Sequence, residues 1–111
     1  MELDSVGIVI ATRELDLADV KKVTVTIGRP ETFSDGINFY CPYQITGIGN
    51  KRVRYAGGID AAQALQLALK MIGADLYTSR EAKARALTWE GGENGDLGFP
   101  LPDTLSDLRP S

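Results

Sequence analysis

Trp89 and Phe99 bracket the acidic, glycine-rich run Glu90-Gly91-Gly92-Glu93-Asn94-Gly95-Asp96, which concentrates the residue types most able to do chemistry. Glu90 and Asp96 are its polar binding candidates and Trp89 and Phe99 its apolar ones. Such aromatics serve either as core anchors or as contact hot spots. Carboxylates and an amide on a glycine-rich loop also suit a hard cation, and Asp103 extends that donor set. The spacing departs from the EF-hand loop, however, so no metal is expected. Paired carboxylates act as general acid and base only at a set separation, which adjacency in sequence does not supply. No lysine or serine follows the glycines in the pattern of a phosphate loop. The simpler reading is a solvated loop whose glycines take positive φ angles.

A second set is basic. Arg13, Lys22, Arg52 and Arg54, with Tyr40, are expected on the outer face of a sheet, where they resemble a platform for single-stranded RNA. Glu14, Asp16 and Gln44 share that face and dilute it. A solvated face with cross-strand ion pairs is therefore the simpler reading, and Arg52 and Arg54 stay as its binding candidates. Cys41 is the only cysteine and histidine is absent, so a thiol or hydroxyl nucleophile has no imidazole base. The simpler reading of Cys41 is a small buried hydrophobe. No catalytic residue and no cofactor is nominated.

Composition narrows the classes. The 111 residues are 43% hydrophobic and 24% charged, which suits a folded domain with one core, residues 1–111. A net charge of −3 offers no long-range attraction to nucleic acid or an anionic membrane. The apolar stretch Val6 to Ala11 is far shorter than the roughly 20 residues of a spanning helix. Glu2 and Asp4 stand where a secretory signal carries positive charge, and a lone cysteine fits a reducing compartment. A cytoplasmic location is expected.

Patterning supplies the elements that position these residues. Val6 to Leu17 reads as a first strand, with Val9, Ala11, Leu15 and Leu17 on one side and a polar corner at Ala18 and Asp19. Val23, Val25 and Ile27 alternate with polar neighbours in a second strand, ended by Gly28-Arg29-Pro30. Glu31 to Asn38 reads as a loop. Phe39, Cys41, Tyr43 and Ile45 face inward from a third strand in which Pro42 marks an edge or a bulge. After Gly47 to Asn50, a fourth strand points Val53 and Tyr55 inward and Arg52 and Arg54 outward, and Gly57-Gly58 closes the sheet.

Asp60 and Gln63 have capping-box spacing and open a helix through about Tyr77, whose polar stripe is Gln63, Gln66 and Lys70. A helix this apolar needs cover on two flanks, from the sheet and from either the C-terminal segment or a second subunit. Gly73 implies a close backbone contact. Thr78 and Glu81 repeat the capping spacing and start a short second helix ending near Leu87. Leu97, Phe99, Leu101, Leu105 and Leu108 form a tail wrapping the core, with Asp103 capping a last turn. The fold class is α+β: a four-stranded antiparallel meander on one long central helix.

The run Ala56-Gly57-Gly58-Ile59-Asp60, then Gln63 to Leu69, Ile72-Gly73-Ala74, Leu76-Tyr77, Trp89 to Gly92 and Gly95 to Pro100, resembles an uncharacterised family of small bacterial proteins. The resemblance covers about half the chain. It implies a compact bacterial domain and brings no catalytic residue with it.

The function these features favour is a non-enzymatic binding module acting through protein contacts. Its partner is a second copy of the chain or a small protein of the immunity or antitoxin kind. The alternative is a small-molecule-binding protein or enzyme using the 89–99 loop, with a closed, ligand-sized pocket beside it.

Overall fold

Alternating β-branched residues set the strands, and a capped apolar run sets the main helix. The computed structural model describes residues 1–18 and 20–110. The element order is β1 (Val9–Leu17), β2 (Lys21–Gly28), β3 (Glu31–Thr32), β4 (Phe39–Thr46), β5 (Arg54–Gly58), α1 (Ala61–Tyr77), α2 (Arg80–Lys83) and β6 (Leu87–Thr88), followed by 3₁₀ turns over Asp103–Leu108. The α+β class and the main helix agree with the sequence, but six strands stand where four were expected. All pairings are antiparallel, and the sheet runs β6-β1-β2-β4-β5, with β3 also on β4.

The first extra strand comes from a bulge. Between the pairs Ile27↔Tyr43 and Glu31↔Tyr40, the β2–β3 side advances four residues while β4 advances three. The extra residue lies in Gly28-Arg29-Pro30, so β3 resumes the ladder on the same side of β4 after a kink. The loop expected from Glu31 thus loses its first two residues. β5 pairs Phe39 to Tyr43 on the opposite side, making β4 an interior strand. Pro42 lies in this interior strand, between the pairs that flank the bulge in the facing strand, and pairs with Tyr55 on the other side. Val6 is buried nearby, its carbonyl group closing on Gly28.

Two further strand readings are corrected. β1 begins at Val9, and a register shift between Val9 and Ala11 breaks the alternation. Val9 and Ala11, expected inward, are exposed, whereas Leu15 is buried. Ala18 opens the following corner with φ +54°, and Asp19 lies outside the described residues. In β5 the register is one residue from that expected. Arg54 pairs with Tyr43 and Ala56 with Cys41, on the face that α1 covers, and Tyr55 joins Pro42 outside. A one-residue slip moves every side chain to the other face. Gly57 and Gly58 belong to β5 and continue its pairing with β4.

Asp60 caps α1 as expected, its carboxylate accepting the Gln63 amide N–H at 2.7 Å, while the Gln63 side chain accepts the Ile59 N–H at 2.8 Å. Ala64, Ala68, Ile72 and Leu76, spaced by four, form the fully buried stripe against the sheet. The second flank is covered by the chain's own tail: Leu97 and Leu101 join the core, with Leu105 and Leu108 packed against it. A Cβ at Gly73 would run into the Pro100 carbonyl oxygen, which is the close contact that glycine implied.

α2 is shorter than expected. Its cap is Ser79, whose Oγ accepts the Ala82 N–H at 3.1 Å, whereas Thr78 ends α1 and donates to the Ala74 carbonyl. Arg85 turns left-handed at φ +61°, with Arg85 N–H bonded to Ala82 and Ala86 N–H to Glu81. That C-terminal motif reverses the chain so that Leu87 is buried opposite Leu17 in β6. Asp103 is the first residue of the 3₁₀ turns, with Pro102 before it and no side-chain cap. None of the described helices is long and apolar enough to cross a membrane.

Candidate functional site

The 89–99 loop is tied down by its own side chains. The Arg13 guanidinium lies 3.9 Å from the centre of the Trp89 ring and 4.8 Å from that of Phe99, and its Nη1 donates to the Leu97 carbonyl at 3.3 Å. Arg13 shares the inner face with Leu15 because it stands opposite buried Val25. It therefore leaves the outer basic set and clamps two aromatics instead. Asp96 is equally occupied: Oδ1 accepts the Gly98 N–H at 2.8 Å and the Tyr77 hydroxyl at 3.2 Å. The Tyr77 oxygen in turn accepts the Leu97 N–H at 2.8 Å. Burial first, with the Asp96 charge adding to it, pushes the Tyr77 hydroxyl above its ordinary pKa.

Glu90 is exposed and stands apart from these bonds. The positive φ angles of this loop fall on Asn94, Gly95 and Gly98, not on Gly91 or Gly92. Gly91 is needed instead because a Cβ would approach the Trp89 ring to 2.6 Å. Trp89 and Phe99 are thus half-buried core anchors, and the two acids have separate fates.

The basic candidates also separate. Lys22 lies on the outer face, paired with Asp16 directly across the β1–β2 ladder, as expected of a solvated face. Tyr40 joins Phe33 and Tyr55 in an outer aromatic cluster, with ring centres 5.2 to 6.0 Å apart. Arg54 faces inward, where Nη1 meets Asp75 Oδ2 of α1 at 3.0 Å. The Tyr43 hydroxyl donates to the same oxygen at 3.3 Å. Tyr43 is 1% exposed, and burial foremost, aided by Asp75, raises its pKa to about 12.

Arg52 stands in the loop before β5. It lines the same cavity as Tyr43, Arg54 and Asp75, beneath the α1–α2 junction. Of the nominated residues, Arg52 and Arg54 meet at this cavity. Trp89 and Phe99 meet at Arg13, with Asp96 held beside them by Tyr77. The parts not foreseen are Tyr43, Asp75 and Arg80. Asp75 had a legible signal: it is the sole acid in a helix otherwise nearly apolar, and such a charge needs a cation opposite.

Cys41 is buried, its thiol directed to the Gly28 carbonyl at 3.5 Å, and burial raises its pKa to about 11. It is a packed hydrophobe with little thiolate at neutral pH.

The family model described as a domain of unknown function, DUF6968, matches residues 11–101. The chain belongs to this family. No curated protein and no solved structure matches it. The matched span of this DUF6968 member contains β2 to β6, both helices and the Arg13–Trp89–Phe99 clamp, and begins inside β1.

Of the nine exposed large hydrophobic residues among the described ones, three are consecutive at one sheet edge, the others being Met1, Val20, Ile37, Ile59, Leu67 and Met71. β6 pairs β1 only at Asp16 and Leu17, so the Val9 to Thr12 side away from β2 has no strand partner among the described residues. Ile8, Val9 and Ile10 are 56, 49 and 47% exposed, and no charged residue occurs from Gly7 to Thr12.

Proposed function

We propose that the chain is a non-enzymatic protein-contact module of the cytoplasm and that its first partner is a second copy of itself, paired through the open edge of β1. The observation that carries this reading is the uncharged edge itself, with three consecutive aliphatic side chains about half exposed. Edges of soluble sheets are ordinarily blunted by charge, by cover or by a bulge, and this one carries only the bulge between Val9 and Ala11. A two-fold axis there sets identical uncharged segments against each other, free of the repulsion that a net charge of −3 brings elsewhere. The bulge at the start of β1 limits such pairing to a short run and so favours a closed pair over an open fibre.

The supports for a protein partner over nucleic acid are the acidic balance and the dispersal of the basic residues over both faces of the sheet. The lone buried cysteine fits a reducing compartment.

Light scattering over a concentration series tests the reading. The expected result is a mass of twice 12.0 kDa for the wild type and 12.0 kDa for the double variant Ile8→Lys, Ile10→Lys, with matching circular dichroism melts. A wild type that stays monomeric throughout, or a dimer indifferent to the substitutions, overturns it.

A further inference from the structure

The cavity beneath the α1–α2 junction has a volume of about 330 Å³, at the small end of ligand sites. Its floor is fixed by Tyr43, Asp75 and Arg54, which satisfy one another. Its rim is fixed by backbone capture: Asn50 Oδ1 accepts the Arg52 N–H at 2.8 Å, and Gln44 Nε2 donates to the Lys51 carbonyl at 2.7 Å. The hydroxyls of Thr78 and Ser79 donate to helix carbonyls at 2.6 Å. The charged lining side chains still without a hydrogen-bond or ion-pair partner among the described residues are those of Arg52, Arg80 and Glu81. Ile45 and Ile48 supply an apolar wall.

We propose that this cavity binds a small organic carboxylate with an apolar body, its carboxylate on Arg52 and Arg80 and its body on Ile45 and Ile48. Guanidinium groups match a planar carboxylate through paired N–H donors. Three arginines face two carboxylates here, Asp75 and Glu81, an excess of one positive charge on a chain whose net charge is −3. That excess suits a monoanion, and Glu81 disfavours the second charge of a phosphate. The site lies at the β4–β5 end of the sheet, apart from the β1 edge, and stands whether or not the chain pairs with itself.

The test is titration of the ¹⁵N-labelled chain with benzoate and hexanoate, alongside acetate, inorganic phosphate and the uncharged benzamide. Saturable shifts confined to the amides of residues 48–54 and 75–81 are expected with benzoate and hexanoate. Binding should weaken about tenfold or more with benzamide, and likewise in the double variant Arg52→Gln, Arg80→Gln. Both arginines are exposed, so the variant should melt as the wild type does. Absence of shifts, equal binding of benzamide, preference for phosphate, or full binding by the variant overturns the assignment.

Discussion

Tyr43, Tyr77 and Cys41 hold their protons more tightly in the folded chain than in the unfolded one, because burial penalises each anion. A raised acid pKa leaves stability intact below the unfolded value and removes it as pH climbs through the folded value. The fold should therefore begin to weaken above pH 9, where the unfolded thiol ionises, and lose most between pH 10 and about 12. Tyr43 alone accounts for about 2 to 3 kcal/mol of that loss, since each pKa unit is worth ~1.4 kcal/mol. Denaturant titrations at stepped pH should show a shallower decline for Tyr43→Phe than for wild type above pH 10. Arg13 offers a second residue-level check. Arg13→Ala should cost roughly 1 to 2 kcal/mol and shift Trp89 emission to the red, because the guanidinium that shields both rings is gone. Trp89 is the sole tryptophan, so the emission reports this clamp alone.

Elements here were legible where local and tertiary demands agree. Val23, Val25 and Ile27 alternate in sequence and are buried in β2, and Asp60 caps α1 through the amide its spacing selects. Local pattern misleads where packing overrides local preference. Leu87 fits a helix by composition, yet it lies in β6 because Arg85 turns left-handed and the core opposite Leu17 takes the side chain. Arg54 resembles an outward residue, yet Asp75 on α1 draws it inward and sets the β5 register. Gly73 marks where α1 meets the tail. Gly73→Ala gains about 1 kcal/mol of helix propensity but forces apart α1 and Pro100. A net loss of about 1 to 3 kcal/mol in equilibrium unfolding is expected, as for other overpacked sites.

At the scale of the whole molecule, the tail closes one question and the sheet edge opens another. α1 needed a second cover, and Leu97 and Leu101 supply it, leaving Leu67 and Met71 as the exposed large apolar side chains of the helix. The exposed edge of β1 lies elsewhere, and its pairing should make thermal stability depend on concentration. The unfolding midpoint of the wild type should rise with protein concentration, whereas that of the Ile8→Lys, Ile10→Lys variant should stay constant. The extents of 43 × 28 × 21 Å describe an elongated body, consistent with a sheet lengthened by short strands at both ends.

By itself the sequence determined the α+β class, the inward faces of β2 and β4, the main helix and its cap, the close contact at Gly73 and the burial of Cys41. Each rests on period, capping chemistry or composition, which act over a few residues. Tertiary structure alone decided that Arg13 serves Trp89 and Phe99, that Arg54 belongs with Asp75 and Tyr43, and that Glu90 and Asp96 do not converge. Those outcomes depend on strand register and on which segment covers which face. A shift of one residue reverses such facing without changing the local pattern that a sequence displays.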